Sequence, residues 1–432
     1  MTRLALAKTL VDGEVTLQGN NFTFTASGSG TATGNTVTEA EKSAIAASNT
    51  AAITAARASI DKILTENSAV LADLEITSLI SNNLSTTVVV YKPIALSSVA
   101  TTTDGINYIL KPNTIIGSNQ WLTVPNGISL KTGTYPVTNN GYFQVGEPSS
   151  SVSTTLKTTP TTALTEYTSD FSNNGVVEVY SGSSSTIDAG VTFTNDSTNA
   201  SFLNYGTCTN NGTMTNNEPG TGVNTYTGGI FNNNSGALIN NYGYGSTVLN
   251  FGGTFNNNSG AVINSTILSA IGNSNNGTFT NTGSITNDGD SSVVNNYDTS
   301  TFTNTGTITN GGNGGTQSGL VVYGGTFNNN DGASISNIGE NSYIINDTGK
   351  FTNSGTITNS GKLSTLSVYG GTFNNNDGAS ISNIGEDSYL VNGSRADFDN
   401  DGTITNTGTG SYTTNSGTWS GTGTCTGSCA GT

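Results

Sequence analysis

Residues 324–343, GGTFNNNDGASISNIGENSY, recur at 370–389 with one change, Asn341 becoming Asp387. A near-identical copy 46 residues further on restricts the chain to architectures built by repetition, in which each unit covers its apolar face with a neighbour of the same shape. A shorter repeat runs inside the long one. An aromatic or equivalent apolar anchor stands at Cys208, Phe231, Phe255, Phe279, Phe302, Phe327, Phe351, Phe373, Phe398 and Trp419, at intervals of 21 to 25 residues. Two positions after the anchor comes Asn210, Asn233, Asn257, Asn281, Asn304, Asn329, Asn353, Asn375 or Asn400, with Gly421 in that slot in the last unit.

A glycine and then an aliphatic residue follow, as in Gly283 and Ile285 or Gly355 and Ile357. In the units anchored at 231, 255, 327 and 373 the aliphatic residue falls eight rather than six positions after the anchor. Both offsets are even, so the residue keeps the same face of a strand, whose side chains alternate with period two. A third apolar patch completes many units, among them Val248-Leu249, Val293-Val294, Leu320-Val321-Val322, Ile344-Ile345 and Leu390-Val391. Three short strands per unit of ~24 residues, separated by Asn/Gly turns, predict a mainly β fold, a parallel β-helix or β-solenoid.

Composition agrees once the core is a narrow column. Only 33% of the chain is hydrophobic and 9% charged, against roughly 45% and 25% in ordinary globular domains. Stacked coils need few apolar residues because Phe lies on Phe and Ile on Ile at the ~4.8 Å strand spacing. The invariant asparagine is expected to form a hydrogen-bonded amide ladder, and its tolerance of left-handed backbone suits a coil corner.

Upstream the pattern changes. Thr38-Glu39-Ala40-Glu41 is a capping box opening an Ala/Ile/Leu-rich segment, with Ala46, Ile53, Ile60, Asn67 and Leu74 at heptad a and Asn49, Ala56, Ile63 and Val70 at d. It predicts a long helix, either a coiled coil in which three chains are favoured or a single helix packed on the solenoid end. The expected organisation is an N-terminal β or extended arm (1–37), the helix (38–82), an irregular β neck with the first coils (83–200), and the regular solenoid with its C-terminal cap (201–432).

Charge and residue content exclude much chemistry. The net charge of −16, from 12 Lys+Arg and 28 Asp+Glu, removes the electrostatic basis of nucleic-acid binding. With no histidine there is no imidazole for a catalytic triad or a metal site. Three cysteines, Cys208, Cys425 and Cys429, are too few for a disulfide framework, although the last two are close enough in sequence to pair. No apolar run approaches the ~18 residues of a membrane span. The opening MTRLALAKTLVDGEV reaches Asp12 and Glu14 before a signal-peptide core develops, which suggests a route other than general secretion.

Three constellations bear on chemistry. Asp397, Asp399 and Asp401 match the opening of a calcium loop, but Gly408 stands where a bidentate glutamate belongs, leaving only a weak Ca²⁺ candidate on an outward strand face. Asp331 with Asp377, and Glu340 with Glu386, resemble paired carboxylates two coils or ~9.6 Å apart, near the upper limit for an inverting glycosidase. Duplication alone explains them. Outward Thr pairs such as Thr307/Thr309 and Thr356/Thr358 suggest an ice-binding array, but Ser334/Ser336 and Val262/Asn264 interrupt it.

With units such as FTNSGTITN (351–359) and the N-terminal heptads, the chain resembles the parallel β-helix spikes and fibres of viruses and phages, and the repetitive solenoid adhesins of bacteria. The likeness covers 208–427 and, in style only, 38–80. It implies an elongated structural protein attached through its N-terminal portion, often as a trimer, and it transfers no catalytic residue. The expected function is a non-enzymatic fibre or spike on a virion surface. A microbial surface adhesin or extracellular filament subunit is the alternative, and a glycan-cleaving tailspike the third. The expected partners are other copies, virion or surface proteins, and a glycan or cell-surface receptor, with no cofactor.

Overall fold

The computed structural model describes residues 10–18, 21–28, 75–82, 85–146, 162–266, 268–312 and 315–431. The chain winds as a parallel β-solenoid with three strands per coil. The coil carrying Phe302 has Thr301–Asn304 first, Thr307–Asn310 second and Gly319–Val322 third. Each pairs in parallel with its counterpart one coil on, in register: Phe302 with Phe327, Ile308 with Ile335, Leu320 with Ile344. The second strands alone make a 14-stranded sheet from Ile115–Ile116 to Thr424–Thr426. Thr-Phe-Thr-Asn forms such strands because its second and fourth residues point inward while the threonines suit the wet face.

Register turns identical positions into columns. From Phe231 to Trp419 the anchor rings stack nearly parallel, with centroids 4.5–4.9 Å apart. Upstream the same column is filled by Thr165, Ser185 and Cys208. The second strands stack Met214, Ile239, Ile263, Ile285, Ile308 and Ile335. All these second-strand side chains are buried.

The asparagine after each anchor is also buried, and from Asn210 to Asn353 its amide donates twice. Asn281 Nδ2 donates to Asn304 Oδ1 at 2.7 Å and to the Thr307 carbonyl at 3.1 Å. The same amide-to-amide step joins Asn210, Asn233, Asn257, Asn281, Asn304, Asn329, Asn353, Asn375 and Asn400 in one series, at 2.7–2.8 Å. Two further ladders occupy the other strands. One runs Asn139–Asn173–Asn195–Asn216–Asn241 and resumes from Asn287 to Asn406. The other links Asn250, Asn273 and Asn296 on the third strand.

Along the buried columns amide-to-amide donation points toward the next coil, so an asparagine stacked above a residue without an amide receives no amide donor from below. Asn287 follows Ser265, Asn346 follows Val322 and Asn392 follows Val368. In each of these three asparagines the buried Oδ1 has no partner.

Corners explain the turn sequences. In the short turn Asn281-Thr282-Gly283, a Cβ on Gly283 would lie 2.3 Å from the Ala261 carbonyl of the coil beneath. The long turn inserts two residues, and Ile263 still pairs with Ile285. The ladder asparagines are extended strand residues, which corrects the expectation that they supply left-handed corners. That conformation occurs at Asn275, Asn276 and Asp298 after the third strand, and recurs in a separate column between second and third strands, Leu268, Ser291, Gln317, Asn341, Leu363 and Asp387, with φ of 53–58°. The N–H there bonds the coil above, as Asn341 to Lys362 and Leu363 to Glu386. The one difference between the two long copies, Asn341 against Asp387, thus falls where both residue types tolerate positive φ.

The three-sided winding begins well upstream of the regular spacing, at Ile115. Before it, Asn107–Leu110 pairs antiparallel with Ala100–Thr102 and parallel with Ser129–Lys131, which covers the first edge. Ser85–Ile94 lies against Gln120–Val124 and carries an antiparallel sheet with Glu75–Asn82, Asn21–Gly28 and Leu10–Gln18. Most of the segment expected as a helix, 38–74, lies outside the described residues. Its end, Glu75–Asn82, is a strand.

Replacing Phe327 by Ala should cost about 3 to 5 kcal/mol through the cavity left in the ring stack. Replacing Asn353 by Ala should cost about 1 to 3 kcal/mol through two orphaned neighbours. Chemical denaturation of each variant against the parent measures both, and losses under 0.5 kcal/mol would show that the columns are not continuous.

Candidate functional surface

The three strand ladders present three outer faces, and they differ. Outward residues of the first and second strands are mostly Thr, Ser and Asn, as in Thr278 and Thr280 or Thr307 and Thr309. On the third face the middle outward position holds Leu203, Leu249, the buried Val321, Ile345 and Val391, with Asn224, Gly272, Asn295 and Ser367 in the coils between. At its corner stand Tyr226 and Phe251, paired in register. Tyr297 and Tyr323 occupy the same place further on, their rings stacked 5.0 Å apart, as do Tyr205 and Tyr226 at 4.6 Å. Phe251, Tyr323 and Tyr369 are each about half exposed, at 47–48%. The row is interrupted by Ser274, paired with Phe251, and at Asp347. Burial raises the phenol pKa of Tyr226, Tyr297 and Tyr343, so these rings stay neutral well above neutral pH.

The acidic candidates do not converge. Asp397 and Asp401 are exposed on the rim. Asp399 accepts from Ser420 Oγ at 2.9 Å, while Asp401 accepts from the Thr422 N–H at 2.9 Å and hydroxyl at 3.0 Å. Among the described residues no three Asp, Glu, Cys or His side chains gather as a metal-ligand set. Asp331 and Asp377 are exposed at the tips of two long turns, Asn330-Asp331-Gly332 and Asn376-Asp377-Gly378. Between Glu340 and Glu386 the intervening coil places Lys362, whose Nζ lies 2.8 Å from Glu386, and this hydrogen bond raises the lysine's pKa. A groove of about 270 Å³ beside the N-terminal cap includes Tyr108, Ile109, Ser129 and Lys131 in its lining. Lys131 is paired with Glu166 at 2.6 Å.

The last coil closes differently from the rest. Trp419 ends the ring stack on Phe398, Cys425 ends the isoleucine column on Ile404 and Cys429 ends the third column on Thr413. Cys425 and Cys429 form a disulfide. It links the second- and third-strand columns. Cys208, in the anchor column, is a free buried thiol.

No family model matches the chain, and no curated protein matches it. Among solved structures, the crystal structure of a TibC-catalyzed hyper-glycosylated TibA55-350 fragment aligns with 74% of this chain and 98% of that chain, at 17% identity and a TM-score of 0.22. So loose a superposition decides nothing about function, which rests on the geometry of this chain.

Sequence reasoning located the anchor column and the first asparagine ladder but missed the other two ladders and the aromatic corner row. The second ladder's signal is the TITN motif, whose Asn stands two positions after the aliphatic residue just as the first stands after Phe. The corner row is legible only after register is known, because its members are separated by unequal turns.

Two outcomes follow. Burial pushes the Cys208 thiol from its ordinary 9.0 up to about 12, so the folded chain keeps a proton that the unfolded chain releases. Its contribution is complete below about pH 9 and fades as pH rises toward 12. With no histidine, the melting temperature should be nearly flat from about pH 6 to 8 and fall above about pH 9. In Cys208→Ala the deficit relative to the parent should shrink over that alkaline range, and a constant deficit would contradict the assignment. Removing Asp331 and Asp377 together should change stability by less than about 0.5 kcal/mol, and a larger shift in the melting curve would show that these tips carry contacts.

Proposed function

We propose that the protein is a non-enzymatic rod displayed outside the cell, a microbial surface adhesin or the subunit of an extracellular filament. The observation that carries this reading is the unbroken second-strand ladder of 14 strands. Such a ladder provides length and stiffness, and its regular coils surround a packed core. Acids that would serve hydrolysis are spread along outer turns instead of facing one another across a cleft. The Cys425–Cys429 disulfide supports an extracellular setting, since such bonds persist where thiols are not kept reduced. No helix among the described residues is long and apolar enough to cross a membrane. The antiparallel strands ahead of the solenoid offer a base, and the polar faces offer hydroxyl and amide groups to a glycan or receptor.

A virion fibre would use the same rod, and location separates the two settings. Gold-labelled antibody against the solenoid should decorate the outside of intact producing cells. Label confined to the cell interior would overturn surface display. Label on released particles and not on cells would establish the fibre and overturn the adhesin.

A further inference from the structure

We propose that the third outer face is a self-association surface, and that its occupant is a second copy of this chain laid side by side. This goes beyond surface display and does not depend on it. The face is set apart from the other two by chemistry. Its middle row carries the part-exposed Leu249, Ile345 and Val391 among Asn224, Gly272, Asn295 and Ser367, with Val321 buried, and its corner row carries Phe251, Tyr323 and Tyr369, each about half exposed. In a chain of net charge −16, Asp347 is the one charged side chain in the outward rows from Gly222 to Tyr412. An elongated apolar strip bordered by polar faces is what a soluble surface leaves uncovered only where something else covers it.

Periodicity selects the occupant. Where corner rings fall in consecutive coils they stack at the coil spacing, Tyr205 on Tyr226 at 4.6 Å and Tyr297 on Tyr323 at 5.0 Å. A second copy has an identical pitch, so a side-chain contact made at one coil stays in step with those made at the others, as in paired sheets of identical strands. A partner of any other pitch would match at one or two coils and drift out of step. Area is sufficient as well. Eight steps of ~4.8 Å and a width of ~15 Å give roughly 580 Å² per copy, or about 1,150 Å² in total, above the ~1,000 Å² that a specific interface needs. A two-fold axis satisfies both copies with the same patch.

Charge fixes the sign of the salt response. The strip supplies almost no ion pairs while the rest of each copy repels the other. Screening should therefore strengthen association as salt rises, the opposite of an interface held by opposite charges.

Sedimentation of the full chain measures this directly. The parent should associate reversibly, with a weight-average mass that grows with protein and salt concentration. Phe251→Lys, Tyr323→Lys and Tyr369→Lys combined should weaken association at least tenfold while leaving the melting curve in place. Thr307→Lys, Thr356→Lys and Thr403→Lys combined add the same charge to exposed positions of the second face and should leave association within twofold of the parent. If the strip variant loses its fold, Tyr369→Ser alone, at a half-exposed ring, serves in its place and should weaken association measurably. A parent that stays monomeric at every concentration, an oligomer whose mass the strip substitutions do not change, or equal loss in both triple variants would overturn the proposal. Retention of the parent on immobilised glycan through these same rings, without self-association, would also overturn it and assign the face to sugars.

Discussion

The buried asparagine amide governs this fold. A primary amide inside a protein must place two donors and an acceptor, and here one donor goes to a backbone carbonyl of the next coil while the other donor and the acceptor meet the same residue one coil away. In-register stacking is therefore required by the sequence as well as permitted by it. A coil displaced by one residue would put every ladder amide on the outside and every threonine within. The Phe and Ile columns lie on the same inner face as the amides and would be turned outward by the same displacement, so hydrogen bonds and apolar burial fix the register together.

A chain with so little hydrophobic content can hold a long structure because each coil borrows its covering from the two beside it. The arrangement is expensive only where the series starts or stops. At the N-terminal edge the chain lays antiparallel strands across the first coil. At the other, Cys425 stands on Ile404 and Cys429 on Thr413, and a disulfide joins them. Within the stack, the bare acceptors of Asn287, Asn346 and Asn392 mark places where Ser265, Val322 and Val368 interrupt the amides, and there packing must offset the missing bond.

The inward columns were legible in the sequence because burial forces one residue type into one slot, coil after coil, whatever the turns between do. Even insertions in the turns preserved that phase, which is why Phe327 and Ile335 could be placed on one side of the strand from spacing alone. Positions under weaker constraint were not legible. The left-handed corner accepts Leu268, Ser291, Gln317 and Asn341 alike, since its N–H needs only a carbonyl in the coil above, so no consensus betrays it. Upstream, the anchor slot passes through Thr165, Ser185 and Cys208, and the solenoid extends beyond the reach of the Phe pattern. The third outer face stayed hidden because unequal turns scatter Tyr226, Phe251 and Tyr297 in sequence while register aligns them in space.

Side-chain amide exchange tests the amide account most directly. In protein labelled with nitrogen-15 at asparagine and moved into deuterated water, the Nδ2 protons of Asn281, Asn304, Asn329 and Asn353 should exchange only through global unfolding, as slowly as the backbone amides of the central strands. Exchange of those side chains at the rate of the exposed turn asparagines, while the backbone stayed protected, would show that the ladders are not closed and that apolar packing alone sets the register.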